Sequence, residues 1–162
     1  MHLKTCWSPC FWHPSVRSGS FAVALYSLLM SICIITYTVY VMVGGDASQL
    51  YLPLFEASLS TTTQHAGRFL IIYFIYMVIV SGLLMWGIKA DIRGLMIPWL
   101  VGMGIIIVFQ AAFGLWLIFG YYIYLEVVFA ALVNWSWMSY NVYCYYTVQY
   151  RIQEFILKKF LL

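Results

Sequence analysis

The sequence predicts an all-α polytopic membrane protein, a four-helix transmembrane bundle with both termini cytoplasmic. Three observations predict it. Four apolar runs, at residues 21–43, 69–88, 95–119 and 123–148, carry almost no formal charge. Each meets the length that a hydrocarbon core about 30 Å thick demands, roughly 20 residues at about 1.5 Å rise each. Composition agrees, since 65% hydrophobic with 8% charged residues is far from the balance of a soluble domain. Third, the basic residues are segregated along the chain. Lys4 and Arg17 precede the first run, Lys89 and Arg93 lie between the second and third, and Arg151, Lys158 and Lys159 follow the fourth. Only Arg68 falls on the other side, in a connection that also carries Asp46 and Glu56. Cytoplasmic loops retain Lys and Arg, so this partition sets the orientation. The net charge of +3 is thereby a topology signal, and nucleic acid is not an expected partner.

The elements follow in order. Residues 1–20 form a cytoplasmic stub with Cys6, Pro9, Cys10 and Pro14. The run at 21–43 is too long for a signal-peptide core of 7–15 apolar residues, and no small-x-small cleavage site follows it, so it reads as a retained anchor. Gly44-Gly45 ends it. An outer loop over 44–67 contains a polar Ser/Thr tract at 58–64 and is too short to bury a core of its own. The second and third runs are joined by residues 89–94, short enough to force an antiparallel hairpin. Pro98 sits in the first turn of the third helix, where its missing N–H costs nothing. The third and fourth runs turn at 120–122, and residues 149–162 form a second cytoplasmic stub. No internal repeat is evident, so residues 1–162 constitute one membrane domain.

Polar groups inside such runs are costly in lipid and normally face the bundle interior. Glu126 lies about one turn into the fourth run and Arg68 begins the second at a similar depth, which predicts an Arg68–Glu126 pair. Gln110 stands about 22 Å up the third helix and Asn134 about 17 Å down the fourth, so an interhelical amide bond is expected. Asn141 follows Asn134 by seven residues and shares its face. Gly104 and Ala111 form a small-residue stripe that allows close helix approach. Tyr37, Tyr40, Tyr51, Tyr121 and Tyr122 are expected in an outer aromatic belt, with Trp86, Trp99, Tyr145, Tyr146 and Tyr150 in an inner one.

Cys6, Cys10 and His13, with His2, have no second half of the usual zinc spacing, so Cys6 and Cys10 are better read as candidate palmitoylation sites. Cys33 and Cys144 lie in spans and read as packing residues. Asn134-Trp135-Ser136 fits the glycosylation pattern but lies inside a span. No nucleophile elbow, phosphate loop or helical zinc motif is present, and the expectation is a protein that is not an enzyme and uses no cofactor or metal.

Ser15-Val16-Arg17-Ser18-Gly19, preceded by the cysteine-bearing stub, resembles the entry segment of the lysosome-associated four-span transmembrane proteins and their insect relatives. Ile97-Pro98-Trp99, Phe113-Gly114-Leu115-Trp116, the turn Gly120-Tyr121-Tyr122-Ile123-Tyr124 and Trp137-Met138-Ser139-Tyr140-Asn141 are similar to the insect Pasiflora-type proteins. The likeness covers about residues 6–150. It implies a structural role at septate junctions, supporting the paracellular barrier of epithelia at the lateral plasma membrane. Membrane lipids and other junction membrane proteins are the implied partners, with a homo-oligomer as a further option. The alternative, an endolysosomal trafficking adaptor, is disfavoured by a tail without Pro-Pro-x-Tyr motifs. A small channel or transporter subunit is third, since Glu126 is a thin basis for a pathway.

Overall fold

The computed structural model describes residues 15–44, 59–121 and 125–160. It contains α1 (Val16–Met42), α2 (Leu59–Ala90), a 3₁₀ turn (Arg93–Leu95), α3 (Ile97–Tyr121) and α4 (Leu125–Phe160), with no strand among the described residues. Three segments, Val16–Met42, Gln64–Ala90 and Arg93–Gly120, are long and apolar enough to cross a membrane. α4 is longer still, but its amides, serines, tyrosines and tryptophans lower its mean hydropathy and it does not join that set.

Local chemistry accounts for three of the helix ends. Ser15 is extended (φ −137°, ψ 146°) and its Oγ accepts the Ser18 N–H at 3.2 Å, an N-cap that satisfies one orphan donor of the first turn. Gly44, with φ 92°, closes α1 in the left-handed conformation that glycine takes without strain. α2 ends differently. Asp91 takes the left-handed position (φ 57°) and the Ile92 N–H reaches back to the Gly87 carbonyl at 2.9 Å, a Schellman-type closure with aspartate where glycine is usual.

The helices extend beyond the apolar runs. Residues 59–64 of the Ser/Thr tract expected in the outer loop are the first turns of α2, and the stub expected after residue 148 continues as helix to Phe160. Polar residues are compatible with helix, and hydropathy alone cannot see such extensions.

Neighbouring helices pack in the ring order α1, α2, α3, α4 and back to α1, and the contacts are most extensive within the pairs α1–α2 and α3–α4. The diagonal pairs α1–α3 and α2–α4 approach little. α1 presents a small-residue face, Gly19, Ser20, Val23, Ala24, Ser27 and Ser31, all buried. Two of its three hydroxyls are returned to the helix, Ser27 Oγ donating to the Val23 carbonyl at 3.0 Å and Ser31 Oγ to the Ser27 carbonyl at 2.7 Å, while the buried Ser20 Oγ has no partner among the described residues. Against this face the main core draws on all four helices, with Met77, Leu84, Trp99, Met103, Cys144 and Val148 among its members. A smaller cluster of Leu117, Val127 and Ala131 belongs to α3 and α4 alone, near the turn that joins them.

Large apolar side chains remain exposed on every helix, including Leu29, Ile72, Ile79, Val108, Phe119 and Phe129. An outward apolar surface around a polar-seamed interior is the pattern lipid requires and water does not.

Candidate functional site

Two polar features organise the bundle, an amide bridge at mid-height and a charged cluster at one end. In the first, Gln110 is buried on α3 and receives two donors from α4. Asn134 Nδ2 donates to the Gln110 backbone carbonyl at 2.8 Å, and Asn141 Nδ2 donates to the Gln110 side-chain oxygen at 2.8 Å. Residues 134 and 141 lie two turns apart on one face, so both reach the same neighbour. Gly114, one turn beyond Gln110, lies where a Cβ would run into the Trp135 indole, so the glycine is what lets the two helices close here. Gly104 has open room by comparison, a Cβ meeting only Tyr145 at 3.9 Å.

A second set of contacts ties the hairpins together. Trp99 is wholly buried and its Nε1–H donates to Ser27 Oγ at 3.2 Å. It is therefore a core residue and not part of an interfacial belt, a correction that depth along the helix could not supply because depth says nothing about which face a side chain occupies. Trp137 Nε1–H donates to the Tyr26 hydroxyl at 2.7 Å, and Tyr26 meets Tyr140 edge-on at 4.9 Å. Tyr73 and Tyr76 of α2 donate to the Gly102 and Pro98 carbonyls of α3 at 2.6 and 2.9 Å. Between these contacts lies a cavity of about 40 Å³ lined by residues of all four helices, including Ser27, Met30, Met77, Met103 and Asn141, with room for a water molecule.

The charged cluster joins the start of α1, the α2–α3 turn and the end of α4. Arg151 is only 5% exposed. Its Nη2 lies 3.2 Å from Asp91 Oδ1 and its Nη1 2.7 Å from Glu154, while the guanidinium stacks on Phe155 at 4.4 Å. Arg151 Nε is buried without a partner. Arg17 Nη2 donates to the Lys89 carbonyl at 3.2 Å and stands 3.9 Å from Asp91. Lys89 sits over the Phe21 ring at 5.5 Å. A buried cation survives here because two carboxylates and an aromatic face replace its hydration.

Arg68 and Glu126 are both exposed, and no ion pair joins them among the described residues. The expected pair is corrected for a topological reason. Arg68 is on α2 and Glu126 on α4, the diagonal of the ring, so matching depth does not bring them together. The Asp91–Arg151 contact was open to sequence reasoning, since both residues flank the same ends of the runs, but Arg151 was weighed only as an orientation signal. Among the family-entry residues, Ser15 caps α1, Val16 and Ser18 lie in its first turn, Arg17 joins the cluster and Gly19 is buried. Cys33 is exposed and Cys144 buried, whereas Cys6 and Cys10, with His2, His13, Tyr51 and Tyr122, lie outside the described residues. Among the described residues no three His, Cys, Asp or Glu side chains gather closely enough to hold a metal.

Long apolar helices with inward-facing amides and a basic rim define a helical protein of membrane-spanning type. The chain belongs to the family described as domain of unknown function DUF7027, whose pattern matches residues 19–122, from the buried start of α1 through the end of α3. No curated protein and no solved structure matches it.

Proposed function

We propose that the chain crosses the membrane four times with both termini cytoplasmic, and that it is a structural, non-enzymatic component of septate junctions that supports the paracellular barrier by lateral assembly. One observation carries the junction reading. The residues behind the resemblance to Pasiflora-type proteins are those on which helix packing turns: Trp99 bonds Ser27, Gly114 admits Trp135, Trp137 bonds Tyr26 and Asn141 bonds Gln110. Motifs that specify one bundle are a stronger basis for kinship than aromatic composition alone.

The fourth span is supported by the side-by-side packing of α3 and α4 and by the inward pairing of the Asn134 and Asn141 amides, which spares them contact with lipid. Orientation is supported by the seven basic residues assigned to one side against Arg68 on the other. Lateral assembly is supported by the apolar outer faces of the helices, which can meet other membrane helices without water being displaced.

The test is localisation and loss in a polarised epithelium. The expected result is lateral junctional staining, and, on depletion, mislocalised junction proteins with leakage of a small dextran between cells. An intact tracer barrier with normal junction staining refutes the proposal. Residence of the untagged protein in lysosomes favours a trafficking adaptor instead. Epitope tags at either terminus are expected to stain only after permeabilisation.

A further inference from the structure

The cations at the charged end divide into two groups. Arg151 is consumed internally, its charge met by Asp91 and Glu154. Asp91 is closer to Arg151 (3.2 Å) than to Arg17 (3.9 Å), and the Arg17 side chain is 52% exposed, so Arg17 is only weakly compensated. Lys89 and Arg93 are exposed, and among the described residues neither has a carboxylate at ion-pair distance. Arg17 bonds the Lys89 carbonyl, and Arg93 opens the 3₁₀ turn that follows, so the three cations share one rim of the bundle. Trp86, 65% exposed and three residues before Lys89, marks the depth of that rim, because an indole directed into lipid prefers the headgroup level.

We infer that Arg17, Lys89 and Arg93 form a binding site for the headgroup of an anionic phospholipid of the adjoining leaflet. The inference rests on the membrane-spanning reading above. The pair of buried Arg151 with half-exposed Asp91 is what builds the site. It anchors the α2–α3 turn against α4 and spends the nearby carboxylate on an internal partner, leaving the outer cations to face the headgroup region. Phosphate oxygens supply the acceptors that guanidinium and ammonium donors lack here, and the lipid chains run along the exposed apolar face that begins at Trp86.

The full chain, reconstituted in phosphatidylcholine vesicles, tests this with dibrominated phosphatidylserine or dibrominated phosphatidylcholine as quencher. Trp86 is the reporter, its signal isolated by subtraction of Trp86→Phe. The expected result is a preference of about a hundredfold for the anionic lipid, falling about fivefold for each of Lys89→Gln and Arg93→Gln, and reaching parity when Arg17→Gln is added to both. Arg17→Lys retains the preference, Arg68→Gln at the other end does not alter it, and raised salt reduces it. The two single changes alter exposed side chains, so they give the answer even where the triple variant does not fold. Equal quenching by the two lipids on the native chain, or an unchanged preference in both single variants, overturns the site. Displacement by soluble glycerophosphoserine overturns the commitment to a lipid in favour of a free headgroup. Quenching by neither lipid refutes the membrane reading itself.

Discussion

Asp91 carries two burdens that substitution can separate. Its backbone is left-handed, φ 57°, which costs an ordinary L-residue about 1–2 kcal/mol, Asp and Asn less and Gly almost nothing. Its carboxylate meets Arg151, whose side chain is 6% exposed, at 3.2 Å. A hydrogen bond to a charged group contributes about 1.5–3 kcal/mol, but Asp91 is half exposed and Glu154 still holds Arg151, so loss of the charge is expected to cost only about 1 kcal/mol. Asp91→Asn keeps the backbone tolerance and removes the charge, giving that cost alone. Asp91→Ala removes both and is expected to lose about 2–3 kcal/mol, whereas Asp91→Gly loses the charge but relieves the turn and should exceed Asp91→Ala by about 1 kcal/mol. Arg151→Met removes the buried cation with its unpartnered Nε and preserves the stem packing, so Asp91→Asn should cost nothing further in that background. The assay is equilibrium unfolding in mixed micelles by titration with sodium dodecyl sulfate, followed by tryptophan fluorescence, where about 1 kcal/mol is roughly a fivefold change in the folded-to-unfolded ratio. Equal stability of the alanine and glycine variants would refute the backbone argument. A cost of Asp91→Asn that persists undiminished beside Arg151→Met would refute the ion pair.

Three further outcomes are checked by the same titration. Gln110→Leu and Asn141→Leu each leave a buried amide without its partner and are expected to cost about 1–2 kcal/mol, while the double change costs less than their sum; strict additivity would disprove the bridge. Gly114→Ala drives a Cβ into the Trp135 indole and should cost about 1–3 kcal/mol, against a neutral or favourable Gly82→Ala, where a Cβ meets nothing within 4 Å. Truncation after Arg151 removes Glu154 and the Phe155 packing and should destabilise by about 2 kcal/mol or more, so an unchanged midpoint would show the end of α4 to be dispensable.

Run length and charge partition made the helix count and the short hairpin at residues 89–94 legible, because span length and loop length are one-dimensional quantities. The amide cluster of Gln110, Asn134 and Asn141 was legible for a related reason: depths on adjacent antiparallel helices can be matched by rise alone. What depth cannot encode is azimuth and ring order. Arg68 and Glu126 share a depth and stand on diagonal helices, and Trp99 has the depth of an interfacial residue and the azimuth of a core one. The small-residue face of α1 was present in Gly19, Ser20, Val23, Ala24 and Ser27 at helical spacing, but a serine reads as polar even where, as at Ser27, its hydroxyl is returned to its own helix. The helical extensions at Leu59 and toward Phe160 escaped because a polar helix leaves no trace in hydropathy.

The pairing of α1 with α2 and of α3 with α4 bears on how the molecule is made. The helices of each pair leave the ribosome in succession, so each pair can form its own contacts as a unit. The seam between α1 and α4 joins residues 111 positions apart at Tyr26 and Trp137, and it closes only after the last segment has been synthesised. Until then the Tyr26 hydroxyl and the Asp91 carboxylate lack their α4 partners, Trp137 and Arg151, and the half-built protein holds polar groups that only the closed ring engages. Completion of the ring is therefore also the step at which the nascent chain ceases to look unfinished, and lesions confined to this seam are expected to act through turnover of the protein.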